Sequence, residues 1–148
     1  NDINYAVTET VWTQFFYDPR FRPSLTQKRM TEANLLGRKS GRGYYSYVDK
    51  QATERLETID QKKAENIFQR IFCMLVNEAC DARFMQIASE EDIELAMTKG
   101  VNYPKGLFAW GREYGLKLVL ETLEELFDRF GEDRYRPNPL LKDEVLNA

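Results

Sequence analysis

Apolar residues recur at helical spacing along most of this 148-residue chain, and short segments rich in glycine, proline or charge interrupt them. Over residues 2–17, Ile3, Val7, Val11, Trp12 and Phe15 fall on one helical face, which the spacing predicts to be buried. Pro19 and Pro23 then force an extended connection, because proline locks φ and moves its predecessor out of the helical region. Ser24 with Gln27 three positions later forms a capping box, opening a short helix through about Asn34. Gly37 is its expected left-handed stop. Gly37–Gly43 reads as a basic glycine-rich loop, and Tyr44, Tyr45 and Tyr47 as an extended arm lying on other elements.

Residues 49–63 are polar, with only Leu56 and Ile59 as apolar anchors, and read as a charged linker that is partly helical. A long helix is expected from about Ala64 to Ile87, with Phe68, Ile71, Phe72, Leu75, Val76, Ala79 and Ala82 as its buried stripe. Ser89 caps the next helix, whose acids Glu90, Glu91 and Asp92 sit in the positive first turn. Gly100 stops it, and Tyr103-Pro104-Lys105-Gly106 turns the chain into an aromatic-rich segment containing Phe108 and Trp110. Gly115 and Gly131 bound an amphipathic helix over Leu116–Phe130, and a last helix covers roughly Pro139–Leu146. Strand signals are nearly absent, so the expected fold class is all-α.

A phrase occurs twice. Asp18-Pro19-Arg20-Phe21-Arg22-Pro23 returns as Asp133-Arg134-Tyr135-Arg136-Pro137, each time after an amphipathic stretch. At an offset of 115 the flanks also match in kind, Ile3 on Leu118, Val11 on Leu126 and Trp12 on Phe127. An echo of this sort points to two copies of one helical unit. The expected organisation is the C-terminal part of a first repeat over 1–48, a linker over 49–63, and a second repeat over 64–148. The first copy starts inside its own helix, and the chain opens on Asn1 rather than Met, as a cut within a longer protein would.

Composition narrows the chemistry. A chain of this size can bury roughly two-thirds of its unfolded surface, and 43% apolar with 30% charged residues suits a soluble domain. The net charge of -3 offers no basic field for nucleic acid or anionic membrane, and no apolar run reaches membrane-spanning length. Cys73 and Cys80 lie about two helical turns apart, roughly 10 Å, too far for a disulfide; they read as buried small hydrophobes in a reducing cytoplasm. Histidine is absent, which removes His-based acid–base chemistry, the Ser-His-Asp triad and most zinc sites.

Short motifs run in the order Gln69-Arg70, Asn77-Glu78-Ala79, Glu91-Asp92-Ile93-Glu94-Leu95-Ala96-Met97, Pro104-Lys105-Gly106, Gly115-Leu116 and Arg134-Tyr135-Arg136-Pro137. This order resembles the C-terminal domain of the 3-hydroxyacyl-CoA dehydrogenases. The family's closing Gly-Arg-Lys-Thr-Gly phrase is met only near the start, as Gly37-Arg38-Lys39-Ser40-Gly41-Arg42-Gly43-Tyr44-Tyr45. Two copies in tandem are similar to long-form bacterial 3-hydroxybutyryl-CoA and 3-hydroxyadipyl-CoA dehydrogenases. The resemblance implies a parent enzyme that is NAD-dependent and cytoplasmic, acts on an acyl-CoA substrate and forms a homo-oligomer. Its NAD-binding Rossmann domain and catalytic His lie outside this chain, which has no Gly-x-Gly-x-x-Gly opening a βαβ unit. It also implies that Gln69 occupies the place of an active-site Asn. The extra methylene would displace the amide by about 1.5 Å, enough to cost orders of magnitude in rate, so the second repeat is expected to pack without catalysing. No catalytic, cofactor or metal residue is then expected in this chain.

Each remaining feature carries two readings. Arg38, Lys39 and Arg42 can contact a CoA phosphate through a glycine-exposed backbone, or decorate a chain reversal with solvated charge. Arg20/Arg22 and Arg134/Arg136 can form anion sites, or pair with helix carboxylates (Asp18 and Asp133 first among them) and stack on aromatics. Asn77 and Glu78 can face a substrate, or bond neighbouring backbone. Glu90, Glu91 and Asp92 point in different directions and read as helix-dipole acids rather than metal ligands. As a whole the chain can serve instead as an oligomerisation module, or as a free-standing CoA-binding domain.

Overall fold

In the computed structural model, which describes residues 1–47 and 60–147, every element longer than a single bridge is helical. The all-α class read from the sequence holds. The chain divides into two units, residues 1–59 and 60–148.

In the first unit, α1 (Asp2–Gln14) and α2 (Leu25–Glu32) are joined by a 3-10 turn at Pro19–Phe21, not by the extended connection expected. Asp18 causes this. Its Oδ1 accepts the Arg20 amide at 2.9 Å and starts the turn, with Pro19 at the first helical position, where its missing N–H costs nothing. Ser24 caps α2 as anticipated, accepting from the Gln27 amide. The residue that closes α2 is Asn34, at φ 55°, rather than Gly37. Leu35 N–H reaches back to Met30 carbonyl at 2.8 Å, the long bond of a Schellman ending. The stripe of α1 departs from expectation, since Ile3, Val7 and Phe15 remain 66%, 56% and 49% exposed. Periodicity marks a face that can be buried; among the described residues α1 packs chiefly on α2 and the 3-10 turn, and these leave that face open. The tyrosine arm departs too. Tyr47 N–H returns to Gly41 carbonyl at 2.8 Å, folding the segment onto its own loop.

The second unit is built on α3 (Gln61–Phe84), which packs against α5 (Leu107–Tyr114), α6 (Leu116–Phe130) and α7 (Pro139–Leu146). Between them α4 (Glu90–Leu95) runs into a π-helical turn at Ala96–Gly100, and a 3-10 turn at Asp133–Tyr135 joins α6 to α7. Helix, 3-10 turn, capped helix is thus the order at both occurrences of the repeated phrase. The helix α3 begins inside the segment read as linker, because Asp60 Oδ1 accepts from the Lys62 and Lys63 amides. The linker anchors Leu56 and Ile59 lie outside the described residues. Phe72, Cys73, Val76, Ala79 and Cys80 of α3 meet Leu107 and Phe108 of α5, Val119 and Leu123 of α6, and Leu141 of α7 in one core. Against expectation Phe68 and Ile71 sit at its edge, lining with Tyr103, Pro104 and Trp110 an apolar cavity of about 210 Å³. The two cysteines are in the core, free and buried.

Candidate functional site

Gln69 and Arg70 lie on α3 where it crosses α6. The Gln69 side-chain Nε2 donates to Thr122 Oγ1 at 2.9 Å, and that hydroxyl donates to the Leu118 carbonyl at 2.7 Å. The amide of Gln69 is therefore tied to the neighbouring helix. Arg70 is held differently. Its guanidinium lies over the rings of Phe130 and Tyr135, 4.8 and 4.9 Å from their centroids, and donates to the Tyr135 hydroxyl. Both residues wall a cavity of about 470 Å³ between α3 and α6, with Lys63, Arg129 and Glu125 around it.

The Arg-Tyr-Arg-Pro segment is fixed about two turns further along α3. Asn77 Nδ2 donates to the Arg136 carbonyl at 3.0 Å and its Oδ1 accepts from the Asn138 amide at 2.8 Å. Asn138 caps α7 through Leu140 N–H, and its Nδ2 donates to Asp81 Oδ1 at 2.8 Å. So Asn77 serves backbone, and the buried Tyr135 hangs from the same corner. The arginines here are structural as well. Arg20 pairs with Asp18 at 3.1 Å and lies over Phe21. In the second phrase Arg134 turns to Glu132 at 2.7 Å, while Asp133 lies 4.0 Å from Arg136. Asp18 and Asp133 are thus each paired with an arginine of their phrase as expected, and Glu132 adds a partner for Arg134.

The basic loop is a corner whose backbone is already bonded. Gly37 N–H donates to the Arg42 carbonyl, Gly41 N–H to Arg38 carbonyl and Gly43 N–H to Tyr45 carbonyl. Glycine at 43 is required by close approach, since a Cβ there would lie 2.8 Å from Gly37 Cα. Lys39 Nζ meets Asp2 Oδ2 at 2.7 Å, Arg38 stands over Tyr47, and Arg42 is exposed. The cations of this loop and Gln69 belong to different units.

Sequence reasoning missed two polar groups. Glu94 crosses to α5, which has Gly106 in place of a capping side chain, and its Oε1 accepts the Phe108 amide at 2.7 Å. The uncapped start of α5 was the available signal. Arg83 bonds Glu90 at 2.8 Å and Glu144 at 2.9 Å, and Arg112 bonds Glu90 at 3.1 Å, so charges from α3, α4, α5 and α7 form one network whose two arginines stand over the Phe108 ring. No short-range pattern could reveal it.

Among the described residues there is no βαβ unit, and the three glycine amides of the basic loop are spent on nearby carbonyls, so the loop does not fit a dinucleotide's pyrophosphate as a glycine-rich turn between strand and helix would. Nor do any three His, Cys, Asp or Glu side chains among them group to hold a metal, and no helix there is long and apolar enough to cross a membrane.

A family model described as 3-hydroxyacyl-CoA dehydrogenase, C-terminal domain, matches residues 1–47 and 67–147. The chain belongs to this family. Among relatives of this 3-hydroxyacyl-CoA dehydrogenase C-terminal domain, a protein named 3-hydroxyadipyl-CoA dehydrogenase from Escherichia coli is 27% identical, covering 98% of this chain and 48% of its own length. That alignment runs over 229 positions, so the relative carries residues with no counterpart here. A 3-hydroxybutyryl-CoA dehydrogenase from Clostridioides difficile is 37% identical over 51% of this chain and 27% of its own. A crystal structure of 3-hydroxybutyryl-CoA dehydrogenase from Escherichia coli superposes with a TM-score of 0.80 at 27% identity, over 99% of this chain and 49% of that one. The chain thus spans about half, or less, of the relatives it matches.

Proposed function

We propose that this chain is the C-terminal, substrate-cleft and dimer-forming portion of a cytoplasmic, NAD-dependent L-3-hydroxyacyl-CoA dehydrogenase. The parent enzyme oxidises a short-chain 3-hydroxyacyl-CoA to the 3-oxoacyl-CoA, with 3-hydroxybutyryl-CoA as the first substrate to try. The family match across both units carries the reading. A second substrate, 3-hydroxyadipyl-CoA, is favoured by the name of the relative that covers 98% of this chain.

On this reading the second unit supports rather than performs the chemistry. Gln69 stands where the resemblance implies an Asn, and its amide is committed to Thr122. The described residues supply no dinucleotide site, so hydride acceptance and the general base belong to sequence outside this chain. In the first unit, with the loop's glycine amides spent, contact with CoA phosphates falls first to Arg38, Lys39 and Arg42.

The purified chain, given NAD and 3-hydroxybutyryl-CoA, should produce no NADH; oxidation by it would overturn the non-catalytic assignment. The open reading frame that encodes it should carry a Gly-x-Gly-x-x-Gly βαβ unit upstream, and its absence would sink the dehydrogenase reading. Calorimetric titration with CoA should give a signal that Lys39→Glu/Arg42→Glu abolishes. If the signal persists in that variant, the loop is not the contact.

A further inference from the structure

The cavity between α3 and α6 gathers the arginines of the second unit that have no carboxylate partner among the described residues. Of the six arginines in this unit, Arg83, Arg112, Arg134 and Arg136 each have a carboxylate within 4.0 Å. Arg70 and Arg129 have none among the described residues, and both line this cavity, as does Lys63. A single acid, Glu125, stands among the lining residues, leaving two positive charges in excess. Arg70 is preset. Stacked on Phe130 and Tyr135, its guanidinium spends one hydrogen bond on the Tyr135 hydroxyl, out of five N–H donors that arginine carries. Ile67, Leu126 and Phe130 add an apolar wall to the same space. A concave site that joins an apolar wall to fixed charged and polar groups can hold and orient a small molecule.

We propose that this cavity binds an organic carboxylate with a short apolar chain. A carboxylate matches the planar donor edge of a guanidinium; a phosphate does too, but it brings no apolar chain to meet Ile67, Leu126 and Phe130. Glu125 raises the cost of a second negative charge, and the apolar wall takes the chain. The site needs neither a dehydrogenase activity nor any residue of the first unit, so it stands independently of the proposed function.

Titration calorimetry on the full chain tests it, with hexanoate, hexylamine and inorganic phosphate as probes at matched ionic strength. Hexanoate should bind saturably at one site while hexylamine and phosphate do not. Lys63→Gln and Arg129→Gln, both at exposed positions, should each weaken hexanoate by about tenfold, the effect of losing roughly 1.4 kcal/mol, with unchanged thermal unfolding. In parallel, the side-chain amide resonance of Gln69 should shift on addition of hexanoate. Equal binding of phosphate would mean a general charge patch and overturn the proposal. So would absence of saturable binding, retention of affinity in the Lys63→Gln/Arg129→Gln double variant, or an unmoved Gln69 resonance.

Discussion

Asn77 bonds the backbone on both sides of Pro137, donating to Arg136 carbonyl at 3.0 Å and accepting from Asn138 N–H at 2.8 Å. With 3% of its surface exposed, it is the joint between α3 and the corner that leads into α7. Removing it strands a donor and an acceptor in a buried place. Asn77→Ala should therefore cost roughly 2–4 kcal/mol, lowering the melting temperature by about 4–8 °C for each kcal/mol in a domain of this size. Asn77→Asp keeps the acceptor but sets a carboxylate against the Arg136 carbonyl, so it should be less stable than Asn77→Ala at neutral pH. A melt of Asn77→Ala within a degree or two of the parent would disprove the joint.

Gly106 and Glu94 form a pair in which one residue makes room for the other. A Cβ at position 106 would fall 1.8 Å from Glu94 Oε2, where the carboxylate caps α5. Gly106→Ala must expel Glu94, losing the cap at a cost of about 0.5–2 kcal/mol plus the strain of repacking. Glu94→Ala loses the same cap without the clash. The double variant should thus be no worse than the worse of the two singles, a coupling that a double-mutant cycle on denaturant midpoints measures. Strictly additive costs would mean that the two residues do not share this contact.

The Arg112 guanidinium bonded to Glu90 is the largest influence holding that carboxyl below its ordinary value of 4.5, ahead of the opposing effect of burial. A folded-state pKa depressed below the unfolded one gives stability that is present above about 4.5 and is lost as pH falls through the folded value. The second unit should accordingly weaken on acidification below pH about 4.5. Glu90→Gln should be less stable near neutrality by roughly 1–2 kcal/mol, the lower figure favoured because Arg112 is half exposed. Its stability should also fall less steeply in acid. Chemical denaturation at a series of pH values reads both; parallel acid slopes for parent and variant would exclude Glu90 as the titrating group.

How far these contacts were legible depends on their range in sequence. The limits of α6 and α7 follow from neighbours, Gly115 and Gly131 on one side and Asn138-Pro139 on the other, and the capped start of α2 from Ser24 and Gln27. Asp18 and Pro19 held the information for a 3-10 turn, but proline pairs also suit extended chain, and the choice fell to a side-chain hydrogen bond. For α3 the apolar positions run nearly round the helix, so spacing alone could not tell whether Phe68 and Ile71 or the two cysteines face the core. The three helices packed around α3 decide that. The Arg83–Glu144 bond, spanning 61 residues, has no local trace at all. At the candidate site, the place of Gln69 was readable through resemblance, whereas its tie to Thr122 and the convergence of Lys63, Arg70 and Arg129 required the fold.

Cys73 and Cys80 offer a probe of that core. Burial pushes the Cys73 thiol up to about 11 and the Cys80 thiol to about 12, from an ordinary 9.0. The thiolate is the reactive form, so at pH 8 both should be nearly inert toward a disulfide reagent in the folded chain and react at once in denaturant. Labelling followed by absorbance should then proceed only as fast as the second unit opens, and stabilising conditions should slow it. The linkage has a definite sign. Raised folded-state values mean that stability held below pH about 9 is lost as the unfolded thiols ionise above it, so Cys73→Ala/Cys80→Ala should flatten the alkaline side of the stability profile while lowering its height through lost packing. A thiol that reacts in the native protein at the rate of an exposed cysteine would place it outside the core and withdraw the packing of α3 described above.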